Sequence, residues 1–187
     1  LDTFDPHEPW DPPSYYIDRY DPDYRGDELM EPAYERSGYA ADHEIAHMRR
    51  MYAAKLSMVD RWLGFLLGGI ELMGIADDTA VLFTSDHGFY HGEHGLIGKV
   101  ELNRENRIVG RWPLYDTIAH PPLLVGVPGA RTGVRSRAFC QPADLAPTIL
   151  DLAGAPAPPT MHGSSLVPFL QGEWQAKHHR PFAVSSA

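Results

Sequence analysis

The chain has 187 residues, 43% of them hydrophobic and 22% charged, enough apolar content for one ordinary domain with a core and too much for a disordered segment. A formal charge of −9 without any clustered Lys/Arg run excludes nucleic acid and anionic membrane surfaces as expected partners, because both need concentrated positive charge. The lone Cys140 rules out an intrachain disulfide framework and does not distinguish a cytoplasmic from a periplasmic location.

Leu1-Asp2-Thr3-Phe4 reads as a strand already in progress, and since Leu1 is not an initiator methionine, we expect sequence upstream of it. Asp2 to Tyr39 is dense in Pro, Asp and Tyr and lacks alternation, which predicts a long surface excursion. Within it, Pro6-His7-Glu8-Pro9-Trp10 sets a histidine between prolines that restrict its backbone; by itself, such a histidine is an ordinary loop residue. From Asp42 to Gly74 the apolar positions Ile45, Met48, Tyr52, Leu56, Val59, Leu63, Leu66, Ile70 and Met73 recur at spacings of three and four, predicting an amphipathic helix that stops at Gly74. Its most apolar part, Trp62 to Met73, is short of a bilayer span and contains Glu71, so it reads as a buried helix and not as a membrane span.

Thr79 to Ser85 is a continuous apolar run bounded by Asp77-Asp78 and Asp86-His87-Gly88, as expected for a strand buried on both faces of a parallel sheet. Pro122 to Val127 predicts a second buried strand closed by Pro128-Gly129. Ala143 to Ala153 predicts a second amphipathic helix ending at Gly154, and Phe182 to Ser185 a last strand. Strands alternating with helices argue for an α/β sheet with helices on its faces.

Ligands of open α/β sheets gather at the carboxyl ends of strands, where loops converge on a rigid frame. The segment from Thr84 to Lys99 occupies that place and holds Asp86, His87, His91, Glu93, His94 and Lys99 among four glycines, far more chemistry than a connecting turn requires. Asp86 offers hard oxygens and a neutral His87 offers nitrogen to a divalent cation, although two donors do not complete a shell. In a generic Asp-His pair, the commoner role is to stabilise a turn. Lys99, after Gly98, is a flexible cation able to meet a tetrahedral anion or a leaving oxygen; a lone lysine is otherwise solvated surface.

In order and spacing these segments resemble the sulfatase family of the alkaline phosphatase superfamily. Asp5-Pro6-His7-Glu8-Pro9-Trp10 looks like that family's histidine-x-proline segment, and the helix reaching Val59-Asp60 like its long central helix. Phe83-Thr84-Ser85-Asp86-His87-Gly88 looks like its metal-binding strand end, and Gly92 to Lys99 matches its glycine-histidine-glycine-x-x-glycine-lysine stretch. Pro121 to Val125, Asp144 to Gly154 and His162-Gly163-Ser164-Ser165-Leu166 resemble the later strand, helix and turn.

The resemblance implies an alkaline phosphatase-like α/β sheet flanked by helices and incomplete at its N-terminal side, with residues 1–187 forming the C-terminal part of a single catalytic domain. It also implies that Asp86 and His87 are ligands of a divalent cation, most often Ca2+ with Mn2+ or Zn2+ as alternatives. His7 and Lys99 then act on the ester's charged oxygens as catalytic and substrate-binding residues, and His94 orients the loop or lines the pocket. The implied activity is hydrolysis of small-molecule sulfate esters, using a formylglycine formed in a Cys/Ser-x-Pro-x-Arg segment that these residues lack. The alternatives are a phosphodiesterase or phosphonate monoester hydrolase of the same superfamily, or an inactive truncated fragment. Cys140-Gln141-Pro142-Ala143-Asp144 copies the Cys-x-Pro spacing but has Asp144 where arginine belongs, so Cys140 is expected to be a small packed side chain. Phe89, Tyr90, His91 and the excursion from Glu101 to Trp112 stand where substrate preference is expected to be set.

Overall fold

The computed structural model describes residues 1–171 and 180–185. Its helices are α1 (Ser14–Ile17), α2 (Asp42–Leu72), α3 (Asp116–Ala119), α4 (Leu145–Leu152) and α5 (Val167–Leu170). Its strands are β1 (Val81–Thr84), β2 (Tyr90–His91), β3 (Ile97–Gly98), β4 (Val100–Leu102), β5 (Ile108–Arg111) and β6 (Leu123–Gly126). They form two compact units, one from Leu1–Met73 with His87–His120, the other from Gly74–Asp86 with the described residues from Pro121 to Ser185.

The first unit is organised by α2. Glu44 caps the helix start, its Oε2 accepting the Ala41 N–H at 2.6 Å, with Asp42 adding a second acidic group near the positive end of the helix dipole. Gly74 ends the helix in the left-handed region at φ +68°, where a side chain would be strained. Of the anticipated stripe, Met48 is buried and Ile45 and Tyr52 are partly so; Met48 and Met51, which was not in the stripe, join Trp10 and Ile97 in a core that Phe89 also flanks. The buried residues of α2 end at Lys55. Beyond it Trp62 is 63% and Phe65 59% exposed, so the expected buried helix from Trp62 to Met73 is instead an open apolar face. A second cluster joins Tyr90, Leu96, Trp112 and Ile118. The excursion from Glu101 to Trp112 is an antiparallel hairpin of β4 and β5, irregular between Glu101 and Leu102.

In the second unit, β1 pairs with β6 in antiparallel register, Val81 opposite Gly126 and Thr84 opposite Leu123. This corrects the expected parallel strand buried on both faces: Phe83 and Leu124 are exposed. An apolar run states how much cover a strand wants, but not the direction of its partner. Leu1 to Phe4 and Phe182 to Ser185 are irregular, so neither expected terminal strand forms. Cys140 is exposed, which corrects its reading as a packed side chain. The late helix, expected over Ala143 to Ala153, is a 3-10 turn over Pro142–Asp144 followed by α4, and Asp144 at their junction is fully buried, its Oδ2 accepting the Gln141 N–H at 2.8 Å and its Oδ1 the Ser164 N–H at 2.9 Å. Thr148 Oγ1 donates to the Asp144 carbonyl and accepts from Leu166 N–H, so these two buried side chains hold the 162–166 turn against α4.

Candidate functional site

His7 and Lys99, 92 positions apart, meet in the first unit with Lys99 Nζ 3.1 Å from His7 Nε2. The loop around His7 is fixed from several sides. Trp10, 1% exposed, is its anchor; the indole N–H donates to the Pro6 carbonyl at 3.1 Å and its backbone N–H to Met30 at 2.8 Å. His7 Nδ1 lies 2.8 Å from the Glu8 carbonyl oxygen and 3.2 Å from the Glu8 carboxylate. Both are acceptors, so Nδ1 carries the hydrogen and Nε2 presents its lone pair, to which the Lys99 ammonium donates. The Tyr34 hydroxyl in turn donates to Glu8 Oε1, and Glu8 is buried. A chain of contacts therefore runs Tyr34, Glu8, His7, Lys99.

Gly98 makes that arrangement sterically feasible. Its φ is +98°, and a Cβ there would sit 2.6 Å from Cγ of the Tyr34 ring, so only glycine lets Tyr34 lie against the loop immediately before Lys99. Lys55, on α2, clamps the other side of the His7 loop. Its ammonium is buried and bonds the Pro9 carbonyl at 3.0 Å, Asp11 Oδ1 at 2.8 Å and Asp5 Oδ1 at 3.0 Å. Burial alone works to lower the Lys55 pKa, yet the hydrogen bonds and charges of Asp11 and Asp5 together outweigh it and raise the pKa. The hydrogen bond from Lys55 correspondingly holds Asp11 below the usual carboxylate value.

Asp86 belongs to the second unit and His87 to the first. His87 Nδ1 lies 2.9 Å from the Gly88 carbonyl, which assigns its hydrogen to Nδ1 and leaves Nε2 as the basic nitrogen, the tautomer a metal ligand needs. Asp86 Oδ1 lies 3.4 Å from Ser85 Oγ. A carboxylate and an imidazole of that tautomer are each a donor type that a divalent cation takes. Among the described residues no group of three or more His, Cys, Asp or Glu is arranged around a common point, so the pair supplies two donors only.

Two further loop histidines differ sharply. His94 is exposed, adopts a left-handed φ of +57° and stacks on Tyr115 with ring centres 3.9 Å apart. His91 is buried among Trp10, Tyr52 and Phe89 and is held down to a pKa of about 4, chiefly by burial; the Glu93 carboxylate opposes that effect. His91 therefore belongs to the core and not to the variable pocket wall anticipated for it. Glu8, Tyr34 and Lys55 escaped the sequence reading. A glutamate between two prolines and a lysine inside a helical stripe carry no periodic or spacing signal; only the fold reveals their partners.

The Sulfatase family profile matches residues 3–155. Arylsulfatase K of Bos taurus is 31% identical over 154 residues, covering 80% of this chain and 26% of that protein. The N-acetylglucosamine-6-O-sulfatase of Bacteroides thetaiotaomicron is 37% identical over 125 residues, covering 66% of this chain and 20% of that protein. Among solved structures, the phosphonate monoester hydrolase SpPMH from Silicibacter pomeroyi superposes with a TM-score of 0.71 at 28% identity, covering 91% of this chain and 37% of that one. The chain spans about a quarter of the length of the curated relatives it matches. Among the described residues no helix is long and apolar enough to cross a membrane. The helices and small sheets described above are part of an alkaline phosphatase-like α/β fold, and with the family profile running from Thr3 to Ala155, the chain belongs to the sulfatase family.

Proposed function

We propose that this chain carries part of the active site of a hydrolase that cleaves small sulfate esters, with His7 and Lys99 acting on the ester's charged oxygens. The observation that supports this best is the 3.1 Å contact between His7 Nε2 and Lys99 Nζ, made by two polar groups from distant segments and held by Glu8, Tyr34 and Gly98. Lys99 contributes a fixed positive charge for an oxygen that gains negative charge as the S–O bond breaks. His7, oriented through Nδ1, accepts from the Lys99 ammonium at Nε2 and so keeps that cation beside the bound oxygen. Asp86 and His87 would hold a divalent cation, most often Ca2+ in this family, which when bound supplies Lewis-acid neutralisation of ester oxygens. A nucleophile from a Cys/Ser-x-Pro-x-Arg segment completes the proposal, and these 187 residues contain no such segment.

Turnover of an aryl sulfate by the complete protein tests this reading. Lys99→Ala and His7→Ala should each lower kcat/KM by about 10²–10³ while leaving the unfolding midpoint near that of the parent. Parent-like turnover in Lys99→Ala removes that residue from the site. The likeness to a phosphonate monoester hydrolase over 91% of the chain favours a phosphorus ester as the second reading. An aryl phosphodiester cleaved faster than the aryl sulfate would select it.

A further inference from the structure

The first turns of α2 hold a buried histidine that is satisfied on one side only. His47 is 1% exposed, and its ring lies flat against Tyr24, with the planes 6° apart and the centres 3.6 Å apart. Its Nδ1 lies 2.8 Å from Asp21 Oδ2, which also accepts from Arg50 Nη1 at 2.7 Å. The hydrogen bond from His47, and then that from Arg50, hold the Asp21 carboxyl below the usual carboxylate value. An ionised Asp21 only accepts, so the imidazole hydrogen is on Nδ1 and Nε2 presents a lone pair. That nitrogen is buried and has no hydrogen-bond partner among the described residues, a state that folded proteins rarely leave unexplained.

Oε1 of Glu28 lies 3.9 Å from the same nitrogen. Two acceptors do not bond each other, and the separation is well beyond the roughly 2.7–2.9 Å of a hydrogen bond between an imidazolium and a carboxylate. It suits a metal ion instead. Zinc bonds of about 2.0–2.2 Å to nitrogen and oxygen would span roughly 4.0–4.3 Å in line, so an ion set slightly out of line reaches both atoms as they stand. The Glu28 side chain is 46% exposed and makes no hydrogen bond among the described residues, which opens the site to solvent from its side. Charge favours a cation as well, because residues 18–28 carry five carboxylates against Arg19 and Arg25. Asp21 stands where an outer carboxylate orients a metal-bound histidine through its other nitrogen. Among the described residues no third His, Cys, Asp or Glu joins the pair, so water completes the shell.

We propose that His47 Nε2 and the Glu28 carboxylate bind a divalent cation of the Zn2+ class, with Asp21 orienting the imidazole. An imidazole and a single carboxylate favour such an ion over Ca2+, which takes about six to eight oxygen donors. The site shares no residue with the Asp86 and His87 pair, and it ties the 21–28 loop to α2. Two residues beyond Glu28, the Met30 carbonyl accepts the Trp10 N–H at 2.8 Å, so the cation braces the segment on which the His7 loop is seated. Metal binding here does not rest on the hydrolase reading.

The test is a titration of the full chain with zinc chloride, followed by long-range proton–nitrogen NMR of the histidine rings and by the unfolding midpoint. Zinc should move the His47 Nε2 resonance, leave Nδ1 protonated and raise the midpoint. Glu28→Gln, at an exposed side chain, should keep the metal-free midpoint and weaken zinc binding at His47 by about tenfold or more. A His47 Nε2 signal that follows pH but ignores zinc would mean that a proton fills the gap, and would overturn the proposal. Zinc shifts confined to other histidines, or an undiminished affinity in Glu28→Gln, would overturn it too. In Asp86→Ala combined with His87→Ala the His47 response should persist, and its loss there would also defeat the assignment. Persistence in that variant, with aryl sulfate turnover of the complete protein parent-like in Lys99→Ala, would leave this site standing while the hydrolase reading of Lys99 fails.

Discussion

His91 gives the chain a pH dependence whose size follows from its surroundings. Its ring is packed within 4.3–4.9 Å of Tyr52, Trp10 and Phe89, and its Nε2 is buried without a hydrogen-bond partner among the described residues. Burial lowers its pKa from 6.5 to about 4. The unfolded chain therefore binds a proton between about pH 6.5 and pH 4 that the folded chain refuses. Stability is fully retained above the unfolded value, falls as pH drops through this window and levels off below pH 4. The gap amounts to about 3 kcal/mol at about 1.36 kcal/mol per pH unit, of which about 2.5 kcal/mol is lost by about pH 4.5. His91→Phe keeps a ring of similar size in the aromatic cluster and removes both the titration and the unpartnered nitrogen. Urea unfolding followed by tryptophan fluorescence, with Trp10 beside the ring, should find the variant within about 1 kcal/mol of the parent near pH 7.5. Near pH 4.5 it should be more stable than the parent by about 2.5 kcal/mol. Carboxylates titrate in both proteins and cancel in the difference. A parent and variant that lose equal stability between the two pH values would refute the assignment.

Lys55→Met removes the clamp on the His7 loop. Because Asp5 and Asp11 are 39% and 58% exposed and recover water, the loss should be about 2 kcal/mol by urea unfolding and not the larger cost of stranding a buried charge. The raised Lys55 pKa adds stability that is present below its ordinary value of 10.5 and lost as pH rises above it, so the parent's alkaline decline should be shallower in Lys55→Met. Gly88→Ala drives a Cβ into the Thr117 carbonyl and should lower stability by about 1–3 kcal/mol or more, read as a shift in denaturation midpoint at constant slope. Glu8→Gln keeps the volume but loses the carboxylate facing His7 Nδ1; kcat of the complete protein on an aryl sulfate should drop about 10- to 100-fold with KM little changed.

How much of this was legible in the sequence divides along a physical line. The extent of α2 was readable because its apolar residues recur at helical spacing and a left-handed glycine acts within a turn of where it stands, and the late helix ahead of Gly154 was readable for the same reason. The hidden part is everything that depends on which surfaces meet. The stripe on α2 has one period throughout, yet only its first half is covered. The run from Val81 to Thr84 is apolar whichever way its neighbour runs, and the neighbour is antiparallel. His91 and His94 are three residues apart in one glycine-rich loop, and nothing local explains why one is in the core and the other exposed.

The pairing of His7 with Lys99 is the sharpest case. No periodicity links positions 92 apart, and each alone is an unremarkable loop residue; resemblance to a family singled them out, and the fold supplies the reason they can work as a pair. That reason lies in residues without chemistry of their own. Trp10 seats the loop, Gly98 makes room for Tyr34, Tyr34 holds Glu8, and Glu8 sets the His7 tautomer. Each step is a local steric or hydrogen-bond requirement, so the contact is over-determined, and a change at Gly98, which touches no substrate in this scheme, should disturb Lys99 as surely as a change at Glu8.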